Sequence, residues 1–388
     1  MKKGWVEKKL GDVCEVIAGQ SPEGKYYNNK GKGLPFYQGK REFTEKFIGE
    51  PTTWTMSITK EAQQGDILMS VRAPVGPVNF STEKICIGRG LAAIRATNLI
   101  DKEFLFNFLI KHEKEIVGNT GAVFNSINKA QIESISIPLP PLPEQQRIVA
   151  ILDEAFAAIA TAKENAEKNL QNARELFKSY LQSVFSEAWK ICDIVTLSDL
   201  ATDITDGDHL PPPKAETGVP FITIGNINKE TRNIDFSDTF RVPHEYLTNL
   251  KANRKPKRGD VLYTVTGSFG IPVLVADDVE FCFQRHIGLV RPKPSTESKW
   301  LYYLLASPQV SKQADDRATG TAQKTVSLKV LRSFTVPRVL MPEQRNAVTK
   351  LDGLAAETQH LESIYRQKLA ALDELKKSLL HQAFIGGL

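Results

Sequence analysis

The chain repeats itself once, and that repetition limits what it can fold into more than any other feature. GDILMSV at 65–71 returns as GDVLYTV at 259–265, GRGLAAIR at 88–95 as QRHIGLVR at 284–291, and FLFNFLI at 104–110 as WLYYLLA at 300–306. Further on, NTGAVFNSINKAQIESISIPLPPLPEQ at 119–145 is matched by ATGTAQKTVSLKVLRSFTVPRVLMPEQ at 318–344. The offset grows from 194 to 196 to 199, as it does when two copies of a domain gain small loop insertions. A period the length of a domain means one duplication and not a solenoid.

Each copy changes character at a proline. Before Pro138 and Pro337, short runs rich in Val, Ile, Phe and Tyr are broken by Gly, Pro and Asn, with a helix-like FLFNFLIKHEKEI or WLYYLLASPQV among them. That mixture predicts a compact α+β domain. After the proline, Glu144 to Phe185 contains no Pro or Gly. It should form one helix roughly 60 Å long.

This helix carries a heptad: Ile148, Leu152, Ala155, Ile159, Ala162, Ala166, Asn169, Ala173, Leu176 and Tyr180. Shifted by 199, the same positions are Ala347, Leu351, Leu354, Thr358, Leu361, Tyr365, Lys368, Leu372, Leu375 and Leu379. A helix that overhangs its own domain would leave this stripe wet, so the two long helices should pack on each other. Because the first runs directly into the second domain, antiparallel packing needs no long return connection. With the ends aligned, Asn169 falls opposite Thr358 as a polar layer that fixes register. The expected architecture is α+β: two duplicated globular domains separated by two long helices packed as an antiparallel coiled coil. Its parts are 1–140, a central spacer helix 141–187, 188–339, and a C-terminal spacer helix 340–388.

Composition narrows the class. An apolar content of 41% over 388 residues is ordinary for soluble domains. The opening MKKGWVEKKLGDV lacks an apolar run behind its lysines, and no stretch reaches the length of a spanning helix, so a cytoplasmic protein away from membranes is expected. Cys14, Cys86, Cys192 and Cys282 lie far apart with no CxxC pair, which argues against zinc and disulfides. A net charge of +5 does not by itself establish a nucleic-acid partner. The run LKANRKPKRGD, with Lys251, Arg254, Lys255, Lys257 and Arg258, is a local concentration with no acid before Asp260.

Duplication, heptad helix, IPLPPLPEQQRIVAILDEAFA at 137–157 with its echo VPRVLMPEQRNAVTKLDGLAA at 336–356, and the closing AFIGGL together resemble the specificity subunit of type I restriction-modification enzymes. The resemblance spans nearly the whole chain. The second copy departs from it at Arg338, Val339 and Leu340, which touches only the turn before the second helix. It implies a sequence-specific DNA-binding subunit in which each target-recognition domain reads one half of a split, asymmetric double-stranded site. The helices would set the spacing and dock two methyltransferase subunits. It also implies that S-adenosylmethionine, and ATP with magnesium for the motor and nuclease subunits, belong to partners, this chain having no cofactor of its own and no catalytic role.

Base edges are read by Arg, Lys, Asn, Gln and small hydroxyls, and phosphates by Lys, Arg and backbone amides. In the first domain the candidates are Lys25, Tyr27, Asn28, Asn29 and Lys32 in GKYYNNKGK, then Gln38, Lys40, Arg41, Arg72, Arg89 and Asn125. In the second they are Asn226, Asn228, the basic run, Thr266, Ser268, Arg285, His286 and Lys324. Spacer candidates are Ile148, Leu152, Ile159, Asn169, Leu176, Leu351, Leu354, Thr358, Leu361, Leu372 and Leu375. Turns, core packing or local ion pairs are the plain alternatives for each DNA candidate.

Enzyme readings fit less well. No G-x-G-x-x-G turn follows a strand, and GLPFYQGKR has the wrong spacing for a phosphate loop, with Arg41 where Ser or Thr would hold magnesium. The six histidines lack ligand spacing, and DGDH at 206–209 is explained by a surface turn. A coiled-coil scaffold whose globular domains bind protein is the alternative that keeps the architecture.

Overall fold

The computed structural model describes residues 4–113, 126–209, 212–321 and 323–388. The chain forms two compact units: Met1–Glu167 with Arg366–Leu388, and Lys168–Tyr365. In unit 1, Cys14–Ala18, Leu91–Ala96, Ile67–Ser70 and Val78–Phe80 lie side by side in that order as an antiparallel sheet. Unit 2 repeats that order with Ala201–Asp206, Ile287–Pro292, Val261–Thr264 and Pro272–Leu274. The duplication is therefore one of topology. ILMS and VLYT are buried at every position, which is why they read as unbroken runs and not as alternating strands. In each unit a parallel pair adds a second layer: Leu34–Tyr37 on Ile85–Ile87, and Val219–Ile222 on Cys282–Phe283.

A short helix closes each core. Lys102–His112 starts at Asp101, whose carboxylate accepts from the Glu103 and Phe104 amides, and it buries Phe104, Leu105 and Phe108. Ser298–Leu305 starts at Glu297, which accepts from the Trp300 amide, and it buries Trp300, Leu301 and Leu304. Such caps satisfy amides that the first helical turn leaves unpaired.

The PEQ signature has a structural reason. In unit 1 the fully buried Gln145 accepts from the Asp101 amide at 2.7 Å and donates to the Leu99 and Pro140 carbonyls at 3.2 and 2.8 Å. In unit 2, Gln344 accepts from the Glu297 amide at 2.7 Å and donates to the Ser295 and Val339 carbonyls at 3.1 and 2.7 Å. One side-chain amide thus ties the long helix to the cap of the short one. The substitutions at Arg338, Val339 and Leu340 leave this turn intact. The Leu340 carbonyl receives the Glu343 and Gln344 amides just as that of Pro141 receives those of Glu144 and Gln145.

The long helices, Leu142–Ile191 and Met341–Ile385, pack together antiparallel. Within unit 1, Arg147 donates to the Leu388 carbonyl, Lys163 pairs with Asp373, and the Lys376 ammonium sits over the Phe156 ring. Within unit 2, Arg174 bonds Glu362 at 3.1 Å. Each helix ends in a core. Phe384 packs on Phe104 and Phe108 in unit 1, and Phe185 on Trp300 in unit 2.

Most of the expected heptad stands. Ile148, Leu152, Ile159, Ala166, Ala173, Leu351 and Thr358 are buried, and Ala155, Ala162, Tyr180, Ala347, Leu354, Tyr365, Leu372 and Leu379 half-buried. Asn169, Leu176, Leu361 and Leu375 are instead exposed, Leu176 by 52%. The half-buried positions are one residue later, at Leu170, Phe177, Glu362, Leu369 and Lys376. Every seventh position keeps its phase, but beyond Ala166 and Thr358 the step between them is four residues and then three, where three and then four is expected. The Asn169–Thr358 layer fails with it. With Arg174 level with Glu362, Thr358 lies level with about position 178, roughly two and a half turns from Asn169. Its hydroxyl donates to the Leu354 carbonyl of its own helix at 2.8 Å.

All four cysteines are free thiols. Burial pushes Cys14 up to about 12 and Cys282 to about 11, and Cys86 is also buried. Cys192 is half-exposed; burial raises its thiol too, followed by the charges of Glu343 and Asp193. Alkylation of native protein at pH 8 is expected to modify Cys192 first and the others only after denaturation. Labelling of Cys14 or Cys282 at the same rate would contradict this packing.

Candidate nucleic-acid interface

In unit 1 the strands Cys14–Ala18, Leu34–Tyr37, Ile67–Ser70 and Ile85–Ile87 all end at the same edge, and their following residues bond one another. The Gln20 amide donates to the Ile87 carbonyl at 3.0 Å, Gly88 to Tyr37 at 2.8 Å, Gly90 to Gln38 at 3.1 Å, and Val71 to Gly90 at 2.9 Å. Sheet topology thus brings Gln38, Lys40, Arg41, Arg72 and Arg89 together from three segments. All five are exposed. Among the described residues, no acid pairs with Lys40, Arg41, Arg72 or Arg89, which leaves four cations for an anionic partner.

The neighbouring turn is built by its own side chains. Asn28 accepts from the Lys30 and Lys32 amides at 3.1 and 3.0 Å and donates to the Lys32 carbonyl, so it shapes the loop that holds out Asn29 and Lys32. Tyr27 is half-buried, stacked on Phe36 and bonded to the Pro22 carbonyl at 2.8 Å. Lys25 pairs with Glu23 at 2.6 Å. Asn125 lies outside the described residues.

Unit 2 repeats the edge with other chemistry. The Asp208 amide donates to Phe283, Gln284 to Ile222, Val265 to His286, and Gly267 to Lys324. This gathers Ser268, exposed Arg285, half-buried His286 and exposed Lys324; Thr266 is also there but buried, 3.4 Å from the Thr325 hydroxyl. Two asparagines build turns. Asn226 is buried, accepting from the Thr223 amide and hydroxyl and donating to the Asp238 carbonyl at 2.8 Å, and Asn228 accepts from the Glu230 and Thr231 amides. Residue type alone does not separate the two roles, because turn and groove chemistry use the same side chain.

The basic run is not one patch. Arg254 reaches Asp206 and Asp208 at 3.4 and 3.9 Å, and the Lys255 ammonium donates to the Thr248 carbonyl. Lys257 and Arg258 lie beyond, at the start of the strand Val261–Thr264 and so at the other end of the sheet, with Arg258 3.9 Å from Asp278. Lys251 and Lys257 remain exposed without an acid partner among the described residues. Around Asp208, sequence reasoning missed a network: Tyr246 donates to it at 2.8 Å, and His209 lies 2.9 Å from Asp206. Burial, then the bond to Asp208, raises the Tyr246 phenol above its usual range. DGDH was the available signal.

Among the described residues no group of three or more His, Cys, Asp or Glu is placed to hold a metal ion, and no helix is long and apolar enough to cross a membrane.

Two sheets of identical order, each presenting cations and amides at one edge and each joined to paired long helices, match a known family. The model of the type I restriction modification DNA specificity domain matches twice, at residues 2–170 and 187–370. The chain belongs to this family and is a specificity subunit of a type I restriction-modification enzyme, a sequence-specific DNA-binding subunit and not a catalytic one. It is 41% identical over 182 residues to the putative type I restriction enzyme MjaX specificity subunit of Methanocaldococcus jannaschii, a match covering 46% of this chain and 42% of that one. Across 99% of its length it is 20% identical to 86% of the type I restriction enzyme EcoBI specificity subunit of Escherichia coli. In fold it is similar to a chain solved in work on complex assembly and conformational transition of the type I R-M system, with TM-score 0.81, 21% identity and coverage of 100% and 99%. The HsdS subunit from Thermoanaerobacter tengcongensis follows at TM-score 0.64 and 20% identity, with coverage of 100% and 98%.

Proposed function

We propose that the two units read the two halves of one split, asymmetric sequence in double-stranded DNA, each through the loop edge described above. The observation that carries this is a sheet edge of the same topology in both units but changed in side chains: Gln38, Arg72 and Gly90 in one stand where Thr223, Thr266 and His286 stand in the other. Different chemistry on the same frame reads different bases. The helices set the spacing. A helix of 50 residues is about 75 Å long, close to two turns of B-DNA at about 34–36 Å each. Residues 1–140 and 188–339 serve as the two readers, with 141–187 and 340–388 as spacers. The spacers also dock two methyltransferase subunits, which bring S-adenosylmethionine, while motor and nuclease subunits bring ATP and magnesium. The protein works in the cytoplasm.

Exchanging residues 1–140 for the corresponding segment of another family member, keeping the Phe104 and Phe108 contacts with Phe384, should change one half of the methylated sequence and leave the other. A change in both halves would contradict the assignment of one half to each unit. Binding of the complex to its site should also weaken steeply with salt, since phosphate contacts release counterions.

A further inference from the structure

Gln38 is fixed on the unit 1 edge through both its backbone and its side chain. It follows the strand Leu34–Tyr37 directly, so its backbone is fixed by the sheet. Two glycines bracket it. A Cβ at Gly90 would stand 2.3 Å from the Gln38 carbonyl oxygen, and one at Gly88 would stand 3.0 Å from the Gln38 Cα. Only glycine permits so close an approach. The side chain is oriented as well. Ser21 Oγ accepts from the Arg89 amide at 3.2 Å and donates its own proton to Gln38 Oε1 at 3.0 Å. That relay fixes which way the amide faces. Nε2 then keeps both its protons, and Oε1 keeps a second lone pair.

An outward amide with a free donor beside a free acceptor matches the N7 and N6 pair of adenine in the major groove. Its neighbours Lys40, Arg41 and Arg89 are cations suited to the flanking phosphates, so the neutral group sits inside a rim that positions it. Unit 2 lacks the device. At the equivalent strand end, Thr223 folds its hydroxyl back onto Asn226, and Gln284 and His286 replace the two glycines.

We propose that Gln38 reads an adenine in the half-site bound by unit 1, and that Ser21 is its positioning residue. This rests on the reading of the edge as a DNA interface. The test uses the chain assembled with its methyltransferase partner, with genome-wide methylation mapping and duplex binding as readouts. Gln38→Ala should make one base pair of one half degenerate and weaken cognate binding by about 10–100-fold, leaving the other half and the salt slope unchanged. Gln38→Glu should turn the preference at that position from adenine to cytosine, whose N4 donates to a carboxylate. Ser21→Ala should blur the same position only, and Ser21→Thr should restore it.

Unchanged recognition in Gln38→Ala overturns the proposal, and so does a uniform loss across all sequences, which would mark a structural role. Lys40→Ala with Arg41→Ala separates the two readings. If that pair weakens binding to all sequences while Gln38→Ala alters none, the interface stands and the adenine contact falls. If neither matters, both fall.

Discussion

Replacing Asp260 with alanine is expected to lower the unfolding free energy by about 3–5 kcal/mol, the cost of leaving a buried charge without its partner. The Asp260 side chain is 3% exposed and that of Arg291 17%. The Arg291 fork meets both carboxylate oxygens at 2.9 and 2.7 Å, and its amino group also donates to the Lys255 carbonyl. The same carboxylate accepts from the Lys257 amide at 2.8 Å, closing the turn before the strand. Hydrogen bonding to Asp260 holds the Arg291 guanidinium yet more firmly charged. Removing Asp260 therefore leaves that cation only the more exposed Asp203, 3.7 Å away, and opens a turn. Replacing both partners with leucine should recover part of the loss, because neither charge then stays buried. Asp66 and Arg95 form the counterpart in unit 1, at 2.9 and 2.8 Å, but Arg95 is 29% exposed, so Asp66→Ala should cost less. Urea denaturation of the single and double variants measures both. A loss below about 1 kcal/mol for Asp260→Ala would show that the pair is solvated.

Gln145→Leu should destabilise unit 1 by a similar amount, about 3–6 kcal/mol, for a different reason. Leucine fills much of the space but leaves the Asp101 amide and the Leu99 and Pro140 carbonyls without the bonds Gln145 gave them. Each buried group left unpaired costs about 1–3 kcal/mol. The damage should appear as early hydrogen exchange at the start of the helix Lys102–His112, where the Asp101 cap loosens. Gln344→Leu should do the same at Ser298–Leu305. Exchange unchanged at both places would mean that the signature serves something other than this clamp.

Much of this was legible in the sequence because the duplication supplies an internal comparison. Runs such as ILMS and VLYT, matched at offset 194, fix both a strand and its burial. The long helix follows from the absence of Pro and Gly between Glu144 and Phe185. Antiparallel packing followed from connectivity. The helix seam was legible only in part, since Leu176 stands beside Phe177 and apolar residues at both leave the step between three and four open. What decides it is packing against the partner helix, a long-range property. The DNA candidates were legible as residue types and not as roles. Asn28, Asn226 and Asn228 fold turns, while Gln38, of similar chemistry, points outward, because hydrogen-bonding capacity says nothing of whether the backbone has already claimed it. The Arg254 contacts to Asp206 and Asp208 join positions 48 and 46 apart in the chain, which no local pattern encodes.

Phe384 in the core of unit 1 has a consequence for synthesis. Its aromatic neighbours Phe104 and Phe108 leave the ribosome long before it does, so the first reader emerges with a gap in its hydrophobic interior and must wait for the rest of the chain. Contacts this distant in sequence slow folding. The second reader closes sooner, since Phe185 precedes its partner Trp300 and its last core residues, Val348 and Leu351, come before Phe384. A translation product interrupted between residues 351 and 380 would thus carry a filled second core and an unsealed first one, exposing apolar surface to chaperones and proteases before it could compete for DNA.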